Sequence, residues 1–287
     1  MRTYIWQGVT KSGHVVAVKK LKFSHADLDY KQFRNEFYNL CKLKHENIVQ
    51  ILGYCYEIDK IEFIMDDGNK EIVDEIHAAL CFEYLCNGSL QKHLSEELSE
   101  CKLDWHKRFK IIKGTCEGLK YMHKDQKTQI YHLDLKPDNI LLDKDMVPKI
   151  ADFGLSMIFD KELPQNTQSR YGTLGYQPPE HIDSGKITDK FDIYSLGVVI
   201  IRIVSGPEGY SKYQNMSSDE FVDQVSKSWR NRLQASCSSN SSLEAYCHQV
   251  DRCTHIALDC VKSDSKERPC ILKIVEELNK IETDICT

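Results

Sequence analysis

Short runs of apolar residues dominate the first third of the chain, and runs of this length predict strands. The runs are "HVVAVKKLK" (14–22), "NIVQILGYCY" (47–56) and "AALCFEYL" (78–85). Ser12 and Gly13 ahead of the first run predict a turn. Between the first two runs, Phe33, Phe37 and Leu40 recur at helical spacing and predict an amphipathic helix. The beginning of the chain therefore predicts a small sheet that carries one helix.

An acidic segment from Glu57 to Glu75 separates the second and third runs. Charge-rich connections are usually solvated, so we expect a solvated loop here, in which Asp67 and Gly68 could turn a hairpin. A docking surface for a basic partner is the alternative interpretation of the same residues.

The hydrophobic pattern becomes helical after residue 85. One apolar stripe predicts a helix of about four turns, and its members are Trp105, Phe109, Ile112, Cys116 and Leu119. "FDIYSLGVVIIRIVSG" is apolar on nearly every side and predicts a buried central helix, whereas "ERPCILKIVEELNKI" predicts a final amphipathic helix. "SCSSNSS" (236–242) predicts a flexible loop. The predicted fold class is α+β, with a sheet-rich small lobe followed by a helical large lobe.

Composition narrows the class of protein. A chain of 287 residues can form one large domain or two packed lobes, and its net charge of −5 argues against a nucleic-acid-binding protein. The sequence contains no run of about 20 apolar residues that could span a membrane, and "MRTYIWQGVT" lacks the apolar core of a signal peptide. The twelve cysteines include no Cys-x-x-Cys pair, so we expect reduced, mostly buried thiols rather than disulfides or metal ligands. We expect a soluble cytoplasmic chain.

The candidate chemistry lies in "HLDLKPDN" (132–139) and in "ADFGL" (151–155). The first segment alone could be an ordinary polar loop before a buried strand. Phosphoryl transfer needs metal ions on the phosphates, a cation beside the moving group and an acceptor for the hydroxyl proton. Asn139 and Asp152 offer oxygen ligands that suit Mg²⁺. Asp134 can orient the hydroxyl and accept its proton, and Lys136 can hold the γ-phosphate.

These two segments, followed by "GTLGYQPPE", resemble the protein-kinase signature set. "HENIVQILGYC" and "FEYLCNGSL" are similar in particular to plant receptor-like kinases, which are relatives of the interleukin-receptor-associated kinases. The resemblance covers nearly all of residues 1–287 and implies one bilobal kinase domain, with a small lobe at 1–85 and a helical lobe at 86–287. It implies ATP and Mg²⁺ as cofactors. Lys136 together with Thr173 resembles the pattern of kinases that phosphorylate serine and threonine.

The resemblance also implies which residues surround the ATP. Lys19 would hold the α- and β-phosphates and would pair with Glu36 from the helix. The adenine would lie between Ala17 and Leu141.

Four further residues of the nucleotide site follow from the same resemblance. The Glu83 carbonyl and the Leu85 amide would hydrogen-bond the adenine, with Phe82 at the back of its pocket. Ile5 aligns with the valine that follows the family's glycine-rich loop.

Other positions are implied to be structural. A column of packed side chains would join the two lobes and end at Asp192. Asp192 would hydrogen-bond the backbone of residues 132–139, which we call the catalytic loop. The members of the column would be Leu40, Ile51, His132 and Phe153. Glu180 would pair with Arg268 and stabilise the large lobe.

The start of the chain departs from the family pattern. Kinases cover the phosphates with a Gly-x-Gly-x-x-Gly-x-Val loop. Aligning "IWQGV" with the family's "VYKGV" puts Ile5 at the valine and Thr3 at the last glycine, so the first two glycines would fall before Met1. We therefore expect the first strand and most of the phosphate lid to be missing, through a true truncation or an imperfect gene model. Weaker ATP binding would follow. A pseudokinase-like signalling scaffold is the alternative function.

Leu133 is the second departure, because many kinases have an arginine there that meets a phosphorylated activation-loop residue. Leucine cannot form that contact, so we expect activity to depend little on such phosphorylation. Thr167, Ser169 and Thr173 are the candidate phosphorylation sites. The expected partners are a protein substrate with a serine or threonine acceptor and a membrane receptor complex. That complex would bring the chain to the plasma membrane without a membrane span of its own.

Overall fold

The computed structural model describes residues 3–21, 26–65, 70–95, 103–159, 165–166, 171–206, 209–235 and 240–286. The strands are β1 (Thr3–Val9), β2 (Val15–Leu21), β3 (Ile51–Ile64), β4 (Lys70–Glu83), β5 (Gln129–Tyr131), β6 (Ile140–Leu142), β7 (Pro148–Ile150), β8 (Met157–Phe159), β9 (Gln165–Asn166) and β10 (Lys186–Ile187). The helices are α1 (Ala26–Leu40), α2 (Leu90–Ser95), α3 (Trp105–Lys124), α4 (Pro179–Ser184), α5 (Phe191–Ser205), α6 (Gly209–Tyr213), α7 (Ser218–Gln234), α8 (Asn240–Cys260) and α9 (Ile271–Cys286). A sheet-rich lobe therefore precedes a helical lobe, which confirms the α+β prediction.

The small lobe is a four-stranded antiparallel sheet in the order β1-β2-β4-β3. Helix α1 supplies the apolar side chains predicted from its spacing, since Phe33 and Leu40 are buried and Phe37 packs against the same core. The aromatic ring of Phe37 lies 4.5 Å from that of Tyr54 on β3. Burial of this aromatic face holds the helix on the sheet.

Strands β3 and β4 pair much further than the sequence predicted. Their register runs without interruption from Glu57 opposite His77 to Ile64 opposite Lys70. The prediction of a solvated loop for 57–75 is therefore wrong for the described part of that segment, while Asp67 and Gly68 lie outside the described residues. Cross-strand pairs of β-branched residues, such as Ile58 with Ile76, favour strand pairing even among many charges.

The strand predicted over residues 47–56 begins four residues later than expected, at Ile51 of β3. Residues 47–50 of "NIVQILGYCY" precede β3, and among them Ile48 makes one isolated bridge to Ile150. Val49 instead hydrogen-bonds the Ile150 carbonyl through its amide, at 3.0 Å. This stretch therefore joins the sheet to the helical lobe.

The helical lobe confirms the predicted stripe and the predicted central helix. All five residues of the α3 stripe are buried, and α5 is buried on nearly every side. Part of the predicted loop at 236–242 is wrong, because α8 begins at Asn240; residues 236–239 lie outside the described part. Asparagine and serine favour helix starts, where their side chains can satisfy free backbone amides.

One hydrophobic cluster continues from the sheet into the helical lobe and contains Leu40 and Phe153, with Ile51 packed against it. The ring of His132 meets Phe153 edge-on at 5.1 Å between centroids, and both residues are fully buried. These contacts agree with the column implied by the resemblance. The column fixes the orientation of the two lobes around the cleft between them.

The cysteines differ from expectation in their burial. Among the cysteines whose side chains the structure describes, only Cys116, Cys253 and Cys260 are buried. The expectation of mostly buried thiols is wrong, because Cys55 lies on an exposed position of β3 and because Cys41, Cys86 and Cys270 are exposed in connections between elements. Burial raises the pKa of the Cys116 thiol, which therefore stays protonated and unreactive.

Candidate functional site

A cavity of about 290 Å³ lies between the sheet and the helical lobe. It is lined by all the residues that the resemblance implied for the nucleotide, namely Ile5, Ala17, Lys19, Glu36, Phe82, Glu83, Leu85 and Leu141, together with Asn139 and Asp152. The structure therefore brings these residues to one place, and their individual roles stay predictions. Sequence reasoning missed Val49, Tyr84, Gly88 and Ala151, which line the cavity without a chemical signature of their own.

Lys19 projects from β2 into a cluster of carboxylates. Its Nζ donates to both oxygens of Glu36, at 2.9 and 2.8 Å, and to Oδ1 of Asp152, at 2.7 Å. Burial alone would lower the pKa of the Lys19 ammonium, but the charges of Glu36 and Asp152 outweigh burial and raise it. Lys19 therefore remains a cation deep in the cleft, where it can meet phosphate oxygens.

Asp152 stands at the mouth of the same cluster in an unusual backbone conformation. Its φ angle is 65°, in the left-handed region, and its side chain is 47% exposed to the cleft. Burial would raise the pKa of this carboxyl, but the Lys19 charge outweighs burial and lowers it. The carboxylate is therefore ionised and open to a ligand.

The catalytic loop forms a closed set of hydrogen bonds around Asp134. Lys136 Nζ donates to Asp134 Oδ2 at 2.8 Å and to Thr173 Oγ1 at 2.7 Å, and that hydroxyl donates to Asp134 Oδ1 at 2.6 Å. Asn139 Nδ2 donates to the Asp134 carbonyl at 2.8 Å and to Oδ2 at 3.1 Å. Both oxygens of the Asp134 carboxylate are therefore held in place by neighbouring donors.

Asp192, in the first turn of α5, supports that loop from below. Its carboxylate accepts hydrogen bonds from the amides of His132 and Leu133, each at 2.8 Å, and lies 2.9 Å from Nε2 of His123. Burial alone would raise the pKa of Asp192, but the hydrogen bond and charge of His123 lower it. The loop is thereby fixed to the central helix. His132 is buried against Phe153 and the Ala151 carbonyl, as the implied structural role requires.

The oxygen ligands left in the cleft suit a divalent cation that also binds phosphate. The Asn139 amide nitrogen is engaged with Asp134, which leaves its side-chain oxygen, and Asp152 offers an ionised carboxylate. Among the described residues, no group of three or more His, Cys, Asp or Glu side chains is placed to hold a metal ion. A cation with few protein ligands fits this arrangement, since Mg²⁺ usually takes one or two carboxylates plus phosphate and water.

Residues 82–85, which line the cavity where the two lobes join, are anchored through the Glu83 side chain. Its Oε1 accepts a hydrogen bond from the Gln50 amide at 2.8 Å and lies 3.2 Å from Lys149 Nζ. The side chain therefore ties the segment between the lobes to both of them. Sequence reasoning missed this role, because both partners are distant from Glu83 in the chain.

Leu133 is fully buried in a small apolar cluster with Tyr131, Ile187 and Phe191. Its backbone has a φ angle of 62° and is held there by the bond to Asp192. The apolar cluster contacts β10, which pairs with β9 in the segment after Asp152. Thr167 and Ser169 lie outside the described residues.

Comparison with known proteins gives a consistent picture. A family model described as "Protein kinase domain" matches residues 5–278. A cysteine-rich receptor-like protein kinase 19 of Arabidopsis thaliana is 38% identical over 277 residues, which cover 96% of this chain and 40% of the relative. A G-type lectin S-receptor-like serine/threonine-protein kinase of the same plant is 37% identical over 286 residues, which cover 97% of this chain and 31% of the relative. The chain thus spans less than half the length of these curated relatives.

Proposed function

The chain belongs to the protein kinase family, and on that premise we propose that it transfers the γ-phosphate of ATP to serine and threonine hydroxyls of proteins. The observation that carries the proposal is the closed hydrogen-bond set of Asp134, Lys136 and Thr173. Asn139, which bonds Asp134, joins this set to the cavity that Lys19 and Glu36 line. A phosphoryl group between these two sets would meet a positioned acceptor base and two cations.

Asp134 is the proposed base. Its carboxylate is held by Lys136, Thr173 and Asn139, so it needs no reorientation when a substrate hydroxyl arrives. A carboxylate has further lone pairs beyond those in use, and one of them can accept the hydroxyl proton. Lys136 then stabilises the negative charge on the group that moves, since its ammonium lies beside that carboxylate.

We propose that the residues lining the cavity bind the nucleotide. Lys19 would bind the α- and β-phosphates, and Glu36 would hold Lys19 in the direction of the cleft. Ile5, Ala17 and Leu141 offer apolar surface to the adenine. The backbone of Glu83 and Leu85 would hydrogen-bond its edge.

Members of this family use ATP with a divalent cation, and we propose Mg²⁺ as the cation here. Asn139 and Asp152 would hold it, since their oxygens face the cleft and fit a cation with few protein ligands. When bound, Mg²⁺ neutralises phosphate charge that would otherwise repel the incoming oxygen.

We assign Thr173 to positioning. Its hydroxyl links Lys136 with Asp134, and a phosphate at this oxygen would place two more negative charges against the carboxylate. The combination of Lys136 and Thr173 supports serine and threonine as acceptors. Neither the cleft geometry nor the comparisons favour the scaffold alternative.

Receptor-like signalling is the proposed setting, because the relatives named above are receptor-like kinases. No helix in the described part of the chain is long and apolar enough to cross a membrane. We propose that the chain acts in the cytoplasm, on protein substrates, and reaches the plasma membrane through a receptor complex.

The purified protein, incubated with radiolabelled ATP, Mg²⁺ and a mixture of generic protein substrates, is expected to label phosphoserine and phosphothreonine. Chelation with EDTA should remove the labelling, and phosphoamino-acid analysis of hydrolysed product distinguishes the acceptors. Labelling of tyrosine alone, or no labelling above that of heat-denatured protein, would contradict the proposed function.

Changing both Thr167 and Ser169 to alanine is expected to leave kcat within about two-fold of the unchanged protein, because Leu133 offers no cation to a loop phosphate. Leu133 instead packs against Ile187 and Phe191, and this apolar contact would hold β10 beside the catalytic loop without a phosphate. The check is kcat before and after phosphatase treatment, with melting temperature measured alongside. A loss of activity in the double variant at an unchanged melting temperature would show that the loop needs phosphorylation.

A further inference from the structure

Strands β3 and β4 extend beyond the sheet as a two-stranded ribbon, which we define as residues 57–64 and 70–77. Strand β2 pairs with β4 only over 78–83, so no third strand accompanies the ribbon among the described residues. At about 3.4 Å per residue, the paired positions reach roughly 25 Å from the sheet. The ribbon is therefore a projection of the small lobe rather than a part of its core.

Among the described residues, no element packs on either face of the ribbon beyond Tyr56. The aromatic contacts of α1 with β3 are made to Tyr54 and Tyr56, before the ribbon begins. Beyond them, Ile58, Ile64 and Ile72 are 52%, 66% and 70% exposed. A two-stranded hairpin with no packed face gains little stability of its own, and isoleucines left in water are unfavourable. The ribbon thus has the surface of a protein contact without its partner.

The two faces of the ribbon differ in chemistry. Opposite residues of an antiparallel pair project to the same side, so one face carries Ile58, Ile64, Ile72 and Ile76. The same face also carries Lys60, Glu62, Lys70 and Asp74, whose charges cancel, and Lys70 contacts Glu62 at 2.9 Å.

The opposite face is acidic, with Glu57, Asp59, Glu71 and Glu75. His77 Nε2 lies 3.4 Å from both Asp59 and Glu75, which shows how closely these carboxylates approach one another. In total the ribbon holds six carboxylates and two lysines, a net charge of −4, against −5 for the whole chain. The projection therefore concentrates most of the net charge of the molecule.

We propose that the ribbon docks a basic segment of a partner protein, in which lysine or arginine side chains alternate with aliphatic ones. The segment would pair along an open edge of the ribbon, where its successive side chains point to opposite faces. Its aliphatic side chains would then cover the exposed isoleucines, and its cations would meet the carboxylates on the other face. A second copy of this chain is disfavoured as the occupant, because it would bring another strongly negative ribbon against the first. Charge complementarity thus selects a basic partner over self-association.

The test uses a fluorescently labelled synthetic peptide in which lysine alternates with leucine, with binding followed by anisotropy in the absence of nucleotide. Two comparison peptides replace all the lysines by glutamate or all the leucines by serine. The lysine-leucine peptide is expected to bind the full chain most tightly, and its binding should weaken as salt is raised. Because no phosphoryl transfer is measured, the result is independent of catalytic competence.

Matched variants locate the binding on the ribbon. Changing Glu71 and Glu75 to glutamine is expected to weaken the peptide about five-fold, since each exposed ion pair contributes little alone. Changing Asp223 to asparagine and Glu276 to glutamine removes the same charge from the exposed faces of α7 and α9 and should leave binding unchanged. Changing Ile58 and Ile72 to threonine keeps the strand preference but removes apolar surface, and it should weaken binding too.

Three results would overturn the proposal. The first is equal binding of the lysine-leucine and glutamate-leucine peptides. The second is equal weakening by the ribbon and the helix charge variants. The third is concentration-dependent dimerisation in analytical ultracentrifugation that the Ile58 and Ile72 changes abolish, since the occupant would then be a second copy.

Discussion

An Asp134→Asn variant is expected to lose phosphoryl transfer by roughly 10³-fold in kcat, within the range that removal of a general base produces. Asparagine keeps the size of the side chain but cannot accept a proton. Its amide oxygen can keep the Lys136 and Asn139 donors that Oδ2 of Asp134 now accepts from, while its amide nitrogen donates to the Thr173 hydroxyl. The measurement is the initial rate of label transfer from ATP at saturating nucleotide.

Two controls separate chemistry from folding in that experiment. Melting temperature and nucleotide affinity of Asp134→Asn should remain close to those of the unchanged protein, since the residue lies outside the adenine-binding wall. Asp145→Asn changes an exposed aspartate that pairs with its neighbour Lys144, and the variant should transfer phosphate at the normal rate. An Asp134→Asn protein that retains most of its activity would mean that another group accepts the proton.

A Glu180→Ala variant is expected to lose about 3 kcal/mol of folding free energy, since it leaves a buried cation without its partner. The Glu180 carboxylate accepts two hydrogen bonds of 2.8 Å from the Arg268 guanidinium. The side chain of Arg268 is fully buried, with Nε donating to the Lys262 carbonyl and the guanidinium over the Tyr194 ring. It therefore cannot turn to solvent when its partner is removed. A fall of roughly 10 °C in melting temperature should follow.

The chain offers a matched control for this ion pair. Arg230 and Glu244 form a similar two-point contact, at 2.6 and 2.9 Å, but both side chains lie on the surface. Glu244→Ala should barely change the melting temperature, because exposed pairs are screened by water and salt. Replacing Glu180 and Arg268 together by leucine and methionine should cost less than Glu180→Ala. Equal melting temperatures of Glu180→Ala and Glu244→Ala would refute the view that burial makes this pair stabilising.

Local patterns were sufficient for four helices, namely α1, α3, α5 and α9. The stripe from Trp105 to Leu119 and the apolar run of α5 predicted buried helices, since a helix repeats every 3.6 residues and its buried face is written into one segment. The pairing of the ribbon strands was not predicted, because a strand pair is formed by two separate segments. The isoleucines of the ribbon are separated by charges that usually indicate a loop, and strand pairing depends on a partner elsewhere in the chain.

The same distinction applies to the site. Asp134, Lys136 and Asn139 lie within six positions, so the sequence alone specified their grouping and, through the resemblance, the fold around them. Only the tertiary structure decided that Lys19 meets Asp152 across 133 positions, that Thr173 closes the bonds around Asp134, and that Glu83 ties the lobes together. Helical period and motif spacing are properties of one short segment. Contacts between distant segments depend on how the sheet and the helices pack, and a linear pattern does not contain that information.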